Sequence, residues 1–343
     1  VIARARCEAA FFEAVRACDP ARLVRERLAD DEFDLGLAFG KAALAMARGA
    51  GPVARGLVVA PQLDGAPLPL GWTAMDASHP EPDARSVAAG EAAIALVRAA
   101  QAGDRVLALV SGGASSLVEC PIEGVSLAAF RARVHERMAS GATIHELNAL
   151  RSHLSAIKGG KLAMVCAAPI TTLAVSDVFD DDIAIIGSGP TIAHRAGDTE
   201  EVIAPMHAFA DAFARALGLP RAPAPMVADV AEIELEPGVV MWGEPTVRIP
   251  SRHGHGGRSQ HLALLLAKRL RGTDRSAFVA GSDGVDGPTQ AAGAYVDGTT
   301  WDAIADAQRA LDLYDAGPAL HAVGALFVPG PTGVNHADIA IVG

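Results

Sequence analysis

No stretch of this chain is apolar for long enough to cross a bilayer. The longest runs, 262–267 and 106–110, cover a few residues each, where a spanning helix needs about 20. Cysteine is scarce: Cys7, Cys18, Cys120 and Cys166 stand far apart with no CxxC spacing. That excludes a disulfide framework and reads as reduced thiols in a cytoplasmic protein. Positive charge is short, with 29 Lys and Arg against 40 Asp and Glu and a net charge of −11. Such a balance argues against a nucleic-acid partner, while leaving room for a local basic site facing an anionic substrate. No strand is followed by a GxGxxG fingerprint with a distant acid, so a dinucleotide site is not supported. No Ser-His-Asp or Cys-His arrangement can be assigned. The sequence opens on Val1 rather than methionine, so a leader segment is not judged from it.

What is present is a large, alanine-rich core. Of 343 residues, half are hydrophobic, and that length favours two domains. Residues 3–18 and 21–29 read as helices. Residues 33–39 read as a strand, followed by Gly40-Lys41 and a helix to about 48. Further strands are expected at 56–60, 72–77 and 106–110, a Pro- and Gly-rich loop at 61–71, and a helix at 84–100 capped by Asp83. This alternation argues for a doubly wound, Rossmann-like parallel sheet. Helices fill 126–161, a strand follows at 171–175 and a helix at 200–217. The linker-like 220–225 sets the expected division: an N-terminal α/β domain, 1–222, with room for a C-terminal closing segment, and a smaller α/β domain, 226–343. The smaller one should hold a hairpin of 239–242 with 246–249 and a helix at 260–271. A strand at 278–280, a helix at 300–313 and strands at 325–328 and 339–342 complete it.

The chain is organised around residues 106–117, VLALVSGGASSL. A buried strand, a glycine turn and a helix start place free N–H groups at a sheet edge, where an anion such as phosphate fits. Ser111, Gly112, Gly113 and Ser115 are the candidates. It is not a P-loop, which needs a lysine followed by Ser or Thr after its last glycine. Lys41 sits at another strand end, as a compact cation. The run 151–161 packs four cations and a glycine pair, and reads equally as a solvated helix face or an anion-facing one. Asp177 and Asp180–182 follow a strand, where one or two carboxylates plus phosphate oxygens can hold Mg²⁺. Asp177, nearest the strand end, is the candidate, and the others suit capping or solvation. Residues 252–258 join a strand to a helix start and gather Arg252, His253, His255 and Arg258. That suits a second anion site, while the two histidines lack the further ligands zinc needs. Asp283 and Asp286 lie in a glycine-rich loop that can take a substrate hydroxyl or form a plain turn.

Taken in order, FGKAALAMA, DASHPEPD, VLALVSGGASSL, LRSHLSAIKGGKLA, SDVFDDDIAIIGSGPT, GEPTV, GHGGRSQHLALLLA, AGSDGVDGPTQAAGA and FVPGPTGVN resemble the bacterial-type glycerate 2-kinases whose second domain is called MOFRL. Older usage names some members hydroxypyruvate reductases. The resemblance implies ATP- and Mg²⁺-dependent phosphorylation of D-glycerate, or a related small sugar acid, to the 2-phospho product. It implies an active site in the interdomain cleft. Lys41 and Arg258 match the charge-stabilising pair, Asp177 the metal ligand, and Asp283 or Asp286 the group facing the attacking hydroxyl. The Ser111–Ser115 turn, Lys158 and Asn335 join the phosphate- and substrate-binding set. A small-molecule substrate is implied, with no nucleic acid or membrane, and the resemblance leaves room for a homodimer. The chain departs from the family pattern at Ala114, Ser259 and His261, and at His253 and His255, where a basic residue is usual. It is also shorter than most members near 226–238. Two other functions stand against the kinase: an NAD(P)H-dependent hydroxypyruvate reductase and a non-catalytic binding protein.

Overall fold

The apolar runs pair as parallel strands: β1 (Leu35–Phe39), β2 (Arg55–Ala60), β3 (Trp72–Asp76), β4 (Val106–Ser111), β5 (Ile170–Val175) and β6 (Thr199–Ala204). Their spatial order is β3-β2-β1-β4-β5-β6. β1 and β4 are buried along their whole lengths, as expected where helices cover both faces of a parallel sheet. This is a computed structural model, and it describes residues 1–343 apart from Asp64 and Ala66. Part of the expected loop 61–71 therefore lies outside the described residues. Asp83 starts the helix Ala84–Arg98 as expected: its carboxylate accepts the Arg85 and Ser86 N–H groups, and the Ser86 hydroxyl answers in a capping box.

One helix was expected over 200–217. The chain instead forms β6 and then the helix Ala208–Leu217. β6 is an edge strand paired only with β5. There, charged Glu200 and Glu201 are tolerated because one flank faces water.

The chain divides into two units, Pro20–Met206 and Val1–Asp19 with His207–Gly343. This differs from the division expected at 222–226, and the N-terminal helix supplies the reason. Helix Arg4–Ala17 buries Phe11 completely. The Phe11 ring meets Phe209 at 5.1 Å, Phe327 at 4.9 Å and Phe278 at 6.5 Å, all edge to face. These rings come from the C-terminal part of the sequence, so the first helix belongs with it.

The second unit carries β7 (Met241–Gly243), β8 (Ser276–Ala280), β9 (Gly293–Asp297), β10 (Leu326–Phe327) and β11 (Asp338–Val342), in the order β10-β9-β8-β11-β7 with every pairing antiparallel. The expected hairpin of 239–242 with 246–249 is absent. β7 pairs with β11, and Thr246 bridges Asp229. The fully buried β11 has a ladder on each side, which satisfies more backbone than a short hairpin arm. Among the described residues no helix is long and apolar enough to cross a membrane.

Phe11→Ala is expected to destabilise the chain by about 3–5 kcal/mol, read as a lowered midpoint in urea unfolding. A change below about 1 kcal/mol would show that this ring cluster does not hold the first helix.

Candidate active site

Strand order reverses between β1 and β4, and in open α/β sheets the crevice outside the carboxyl ends of two such strands receives ligands. Lys41 follows β1 and the Ser111-Gly112-Gly113 turn ends β4. The Lys41 N–H donates to the Gly112 carbonyl at 2.9 Å, which ties the two turns together. Gly113 has φ +84°, a left-handed conformation that glycine adopts at no steric cost. A Cβ on Gly112 would lie 2.2 Å from Asp177 Oδ2. The bare backbone there is what lets the carboxylate at the end of β5 come in.

The same measure brings in His79, which stands in the DASHPEPD motif and carried no role in the sequence reading. A Cβ on Gly113 would meet His79 Cδ2 at 2.9 Å and Lys41 Cγ at 3.4 Å. Burial and then the Lys41 charge lower the His79 pKa below its ordinary value, so the imidazole is neutral at neutral pH. The Lys41 side chain has no ion pair among the described residues, and the residue is exposed.

Two expectations for the turn are corrected. The helix after it, Ala114–Leu117, is four residues long, too short for a substantial macrodipole. Ser111 is buried, and its Oγ accepts the Ala42 N–H at 3.1 Å. This hydroxyl holds the fold together rather than facing a ligand.

Beside the turn is a cavity of about 340 Å³. Gly113, Ser115, Asp177, Ser188 and His79 line it, with Asn148, Arg151 and an apolar wall of Phe130, Val134 and Ile185. Ser115 Oγ lies 2.9 Å from Ser188 Oγ, and Ser188 donates to Asn148 Oδ1 at 2.9 Å. Lys158 is corrected: it is fully buried, ion-paired with buried Glu119 at 2.5 Å, and donates to the Val118 carbonyl. Its ammonium cannot reach a ligand from there. The acidic run after Asp177 is structural. Asp181 accepts the Met206 N–H, Asp182 accepts the Ala184 N–H, and Asp180 pairs with His145.

In the other unit Arg258 opens the helix Arg258–Leu270. Its guanidinium pairs with Asp338 at 2.6 Å and Glu244 at 3.4 Å. Burial alone would lower its pKa, but hydrogen bonding and charge from Asp338, joined by Glu244, raise it overall.

Asp286 is not placed as a substrate ligand. It is buried, and its oxygens accept the Ser259 and Gln260 N–H groups at 3.1 and 2.8 Å. It thus occupies the helix N-terminus that was read as an anion site. Burial pushes its pKa to about 7. Asp283 is exposed, with Oδ1 accepting the Val285 N–H. Asn335 is part-buried on the segment before β11. Ser259 Oγ reaches Asp338 Oδ2 at 3.3 Å. His261 is buried and stacks flat on Tyr314 at 4.1 Å, and its Nδ1 has no hydrogen-bond partner among the described residues. Burial pulls its pKa to about 4, against the pull of Asp229.

Fold and site together define a two-unit α/β protein that brings a lysine, a glycine turn, an imidazole and a carboxylate to the switch point of a parallel sheet. The profile described as a domain of unknown function, DUF4147, matches residues 6–212, and that of the MOFRL family matches 238–338. The chain is 31% identical to the glycerate 2-kinase of Pyrococcus horikoshii, over 96% of this chain and 94% of that one. It is 32% identical to the D-glycerate 2-kinase of Thermotoga maritima, over 96% and 95%. The crystal structure of Thermotoga maritima glycerate kinase superposes with a TM-score of 0.87 at 29% identity, covering 97% of each chain. The chain belongs to the glycerate 2-kinase family.

Gly112 does not need a left-handed backbone, so Gly112→Ala isolates the Asp177 contact. The variant is expected to lower kcat by about 100-fold while thermal melting stays near wild type. His261 contributes stability above pH 6.5 that is lost as the pH falls through about 4. His261→Phe is therefore expected to flatten the acid limb of the stability–pH curve by about 3 kcal/mol. Asp286, with its raised pKa, acts in the opposite sense in both proteins and cancels in the comparison. Parallel acid limbs would refute the assignment.

Proposed function

We propose that this chain transfers the γ-phosphoryl group of ATP to the 2-hydroxyl of D-glycerate or a closely related small sugar acid. The observation that carries this reading is the convergence of Lys41, the Gly112-Gly113 turn, His79 and Asp177 at the switch point beside a cavity, in a chain of this family. Phosphoryl transfer asks the protein mainly to position groups and to stabilise charge on the moving phosphoryl. Lys41 has its charge available for that. Arg258, in the second unit, is the other cation to which the family resemblance gives a charge-stabilising role, and its guanidinium is aimed by Asp338 and Glu244. Backbone at Gly112 and Gly113 allows phosphate oxygens a close approach, and the neutral imidazole of His79 can accept a proton from the attacking hydroxyl. Asp283 is the second unit's candidate for that hydroxyl.

Among the described residues no group of three or more His, Cys, Asp or Glu could hold a metal on its own. Asp177 fits the mode in which Mg²⁺ takes one carboxylate and completes its shell with phosphate oxygens and water. When bound there, the ion neutralises phosphate charge. The four free cysteines suit the cytoplasmic setting that the reading carries with it. A hydroxypyruvate reductase would need a nicotinamide site, and no GxGxxG follows β1 or β4.

The purified chain should consume ATP with D-glycerate in a panel of sugar acids, and NMR should place the phosphate on O2. Lys41→Ala and Arg258→Ala should each lower kcat by about 100- to 1,000-fold with the fold retained. NAD(P)H oxidation by hydroxypyruvate without ATP turnover would replace this reading with the reductase. Undiminished rates in both variants would overturn the roles given to the two cations.

A further inference from the structure

The basic stretch 151–161 separates into two kinds of cation. Lys158 is neutralised in the core by Glu119. Lys161 directs its ammonium to the Ser152 and Ser155 carbonyls at 2.6 and 2.7 Å. Arg151 alone of the three lines the cavity. It is part-buried, and its one described hydrogen bond goes to Asn148 Oδ1 at 3.3 Å. No carboxylate among the described residues forms an ion pair with it. Burial lowers its pKa and the Glu119 charge works against that, but a guanidinium stays charged in a protein. It therefore holds a positive charge and unused donors against the apolar wall of Phe130 and Val134. A low-dielectric wall strengthens whatever anion pairs with it.

The guanidinium is also positioned from behind. Asn148 is buried, and its Nδ2 donates to the Ile185 carbonyl at 3.2 Å. That bond orients Oδ1 toward both Ser188 and Arg151. Ser188 in turn meets Ser115 at 2.9 Å, on the helix that follows the glycine turn. A continuous hydrogen-bonded chain thus runs from that turn to Arg151.

We propose that Arg151 is the carboxylate anchor of the hydroxy-acid acceptor, set by the Ser115–Ser188–Asn148 chain so that the acid's hydroxyl faces the Gly112-Gly113 turn and Asp177. This rests on the kinase reading for the reaction but names a contact of its own. A planar guanidinium fork matches a carboxylate in two parallel hydrogen bonds, which a lysine cannot reproduce.

The test is steady-state kinetics of Arg151→Met and Arg151→Lys, with calorimetric binding of D-glycerate alone. Arg151→Met should raise KM for the acid by about 10- to 100-fold and leave KM for ATP within about twofold. Arg151→Lys should fall between, since it keeps the charge and loses the fork. Wild type should bind glycerate well above its uncharged amide, and Arg151→Met should lose that preference. A rise confined to the ATP KM would assign the guanidinium to the nucleotide's phosphates and overturn the proposal. So would unchanged acid binding in Arg151→Lys, the variant kept in case Arg151→Met does not fold. Failure of the kinase reading shows separately, as no ATP turnover in a wild type whose glycerate binding still depends on Arg151. Absence of calorimetric binding to wild type would overturn the anchor itself.

Discussion

One short approach organises the parallel-sheet unit: the Lys41 N–H donating to the Gly112 carbonyl at 2.9 Å. It joins the turns after β1 and β4, the two strands between which the order reverses. Those turns meet backbone to backbone, and Lys41 stays exposed beside them. The bare Gly112 then admits Asp177 from β5, and Gly113 admits His79. Acid, cation and imidazole are brought together by the absence of two side chains as much as by contacts between those present.

The cations of this chain fall into two classes. Lys158, and Arg195 with its partners Asp198, Cys166 O and Ala168 O, are consumed by the fold. The buried Lys158–Glu119 pair mainly avoids the cost of a lone charge. Lys41 and Arg151 keep donors available. Arg258 is intermediate, loaded by Asp338 and Glu244 yet only part-buried. Such loading holds a guanidinium in one direction while leaving some of its five donors for a ligand.

The departures at 259 and 261 take on a physical meaning in that setting. Ser259 keeps a polar contact with Asp338, the carboxylate that aims Arg258. His261 packs its ring flat on Tyr314 and stays neutral through its lowered pKa. Both changes occur within one turn of Arg258, and neither adds a charge beside it.

Periodicity and strand-length apolar runs were enough to read the parallel sheet, the Asp83 cap and the strand ends bearing Lys41, Gly112 and Asp177, because buried strands and glycine turns are local patterns. β6 was hidden because an edge strand can carry the glutamates of a helix, and β9 left no signal that was read. The basic run 151–161 was visible as a run, but its ranking was not. Lys158 and Arg151 look alike in one dimension, and only the packed chain shows that Glu119 neutralises one and leaves the other in a cavity. Asp286 likewise reads as a loop acid until the helix Arg258–Leu270 is seen to rest its first N–H groups on it. The sequence by itself determined strands β1 to β5 and the glycine turns at their ends, since those follow from neighbouring residues. Tertiary structure decided which charges are spent on the fold and which are presented, because a charge's partner and its distance from water depend on residues far away in the chain.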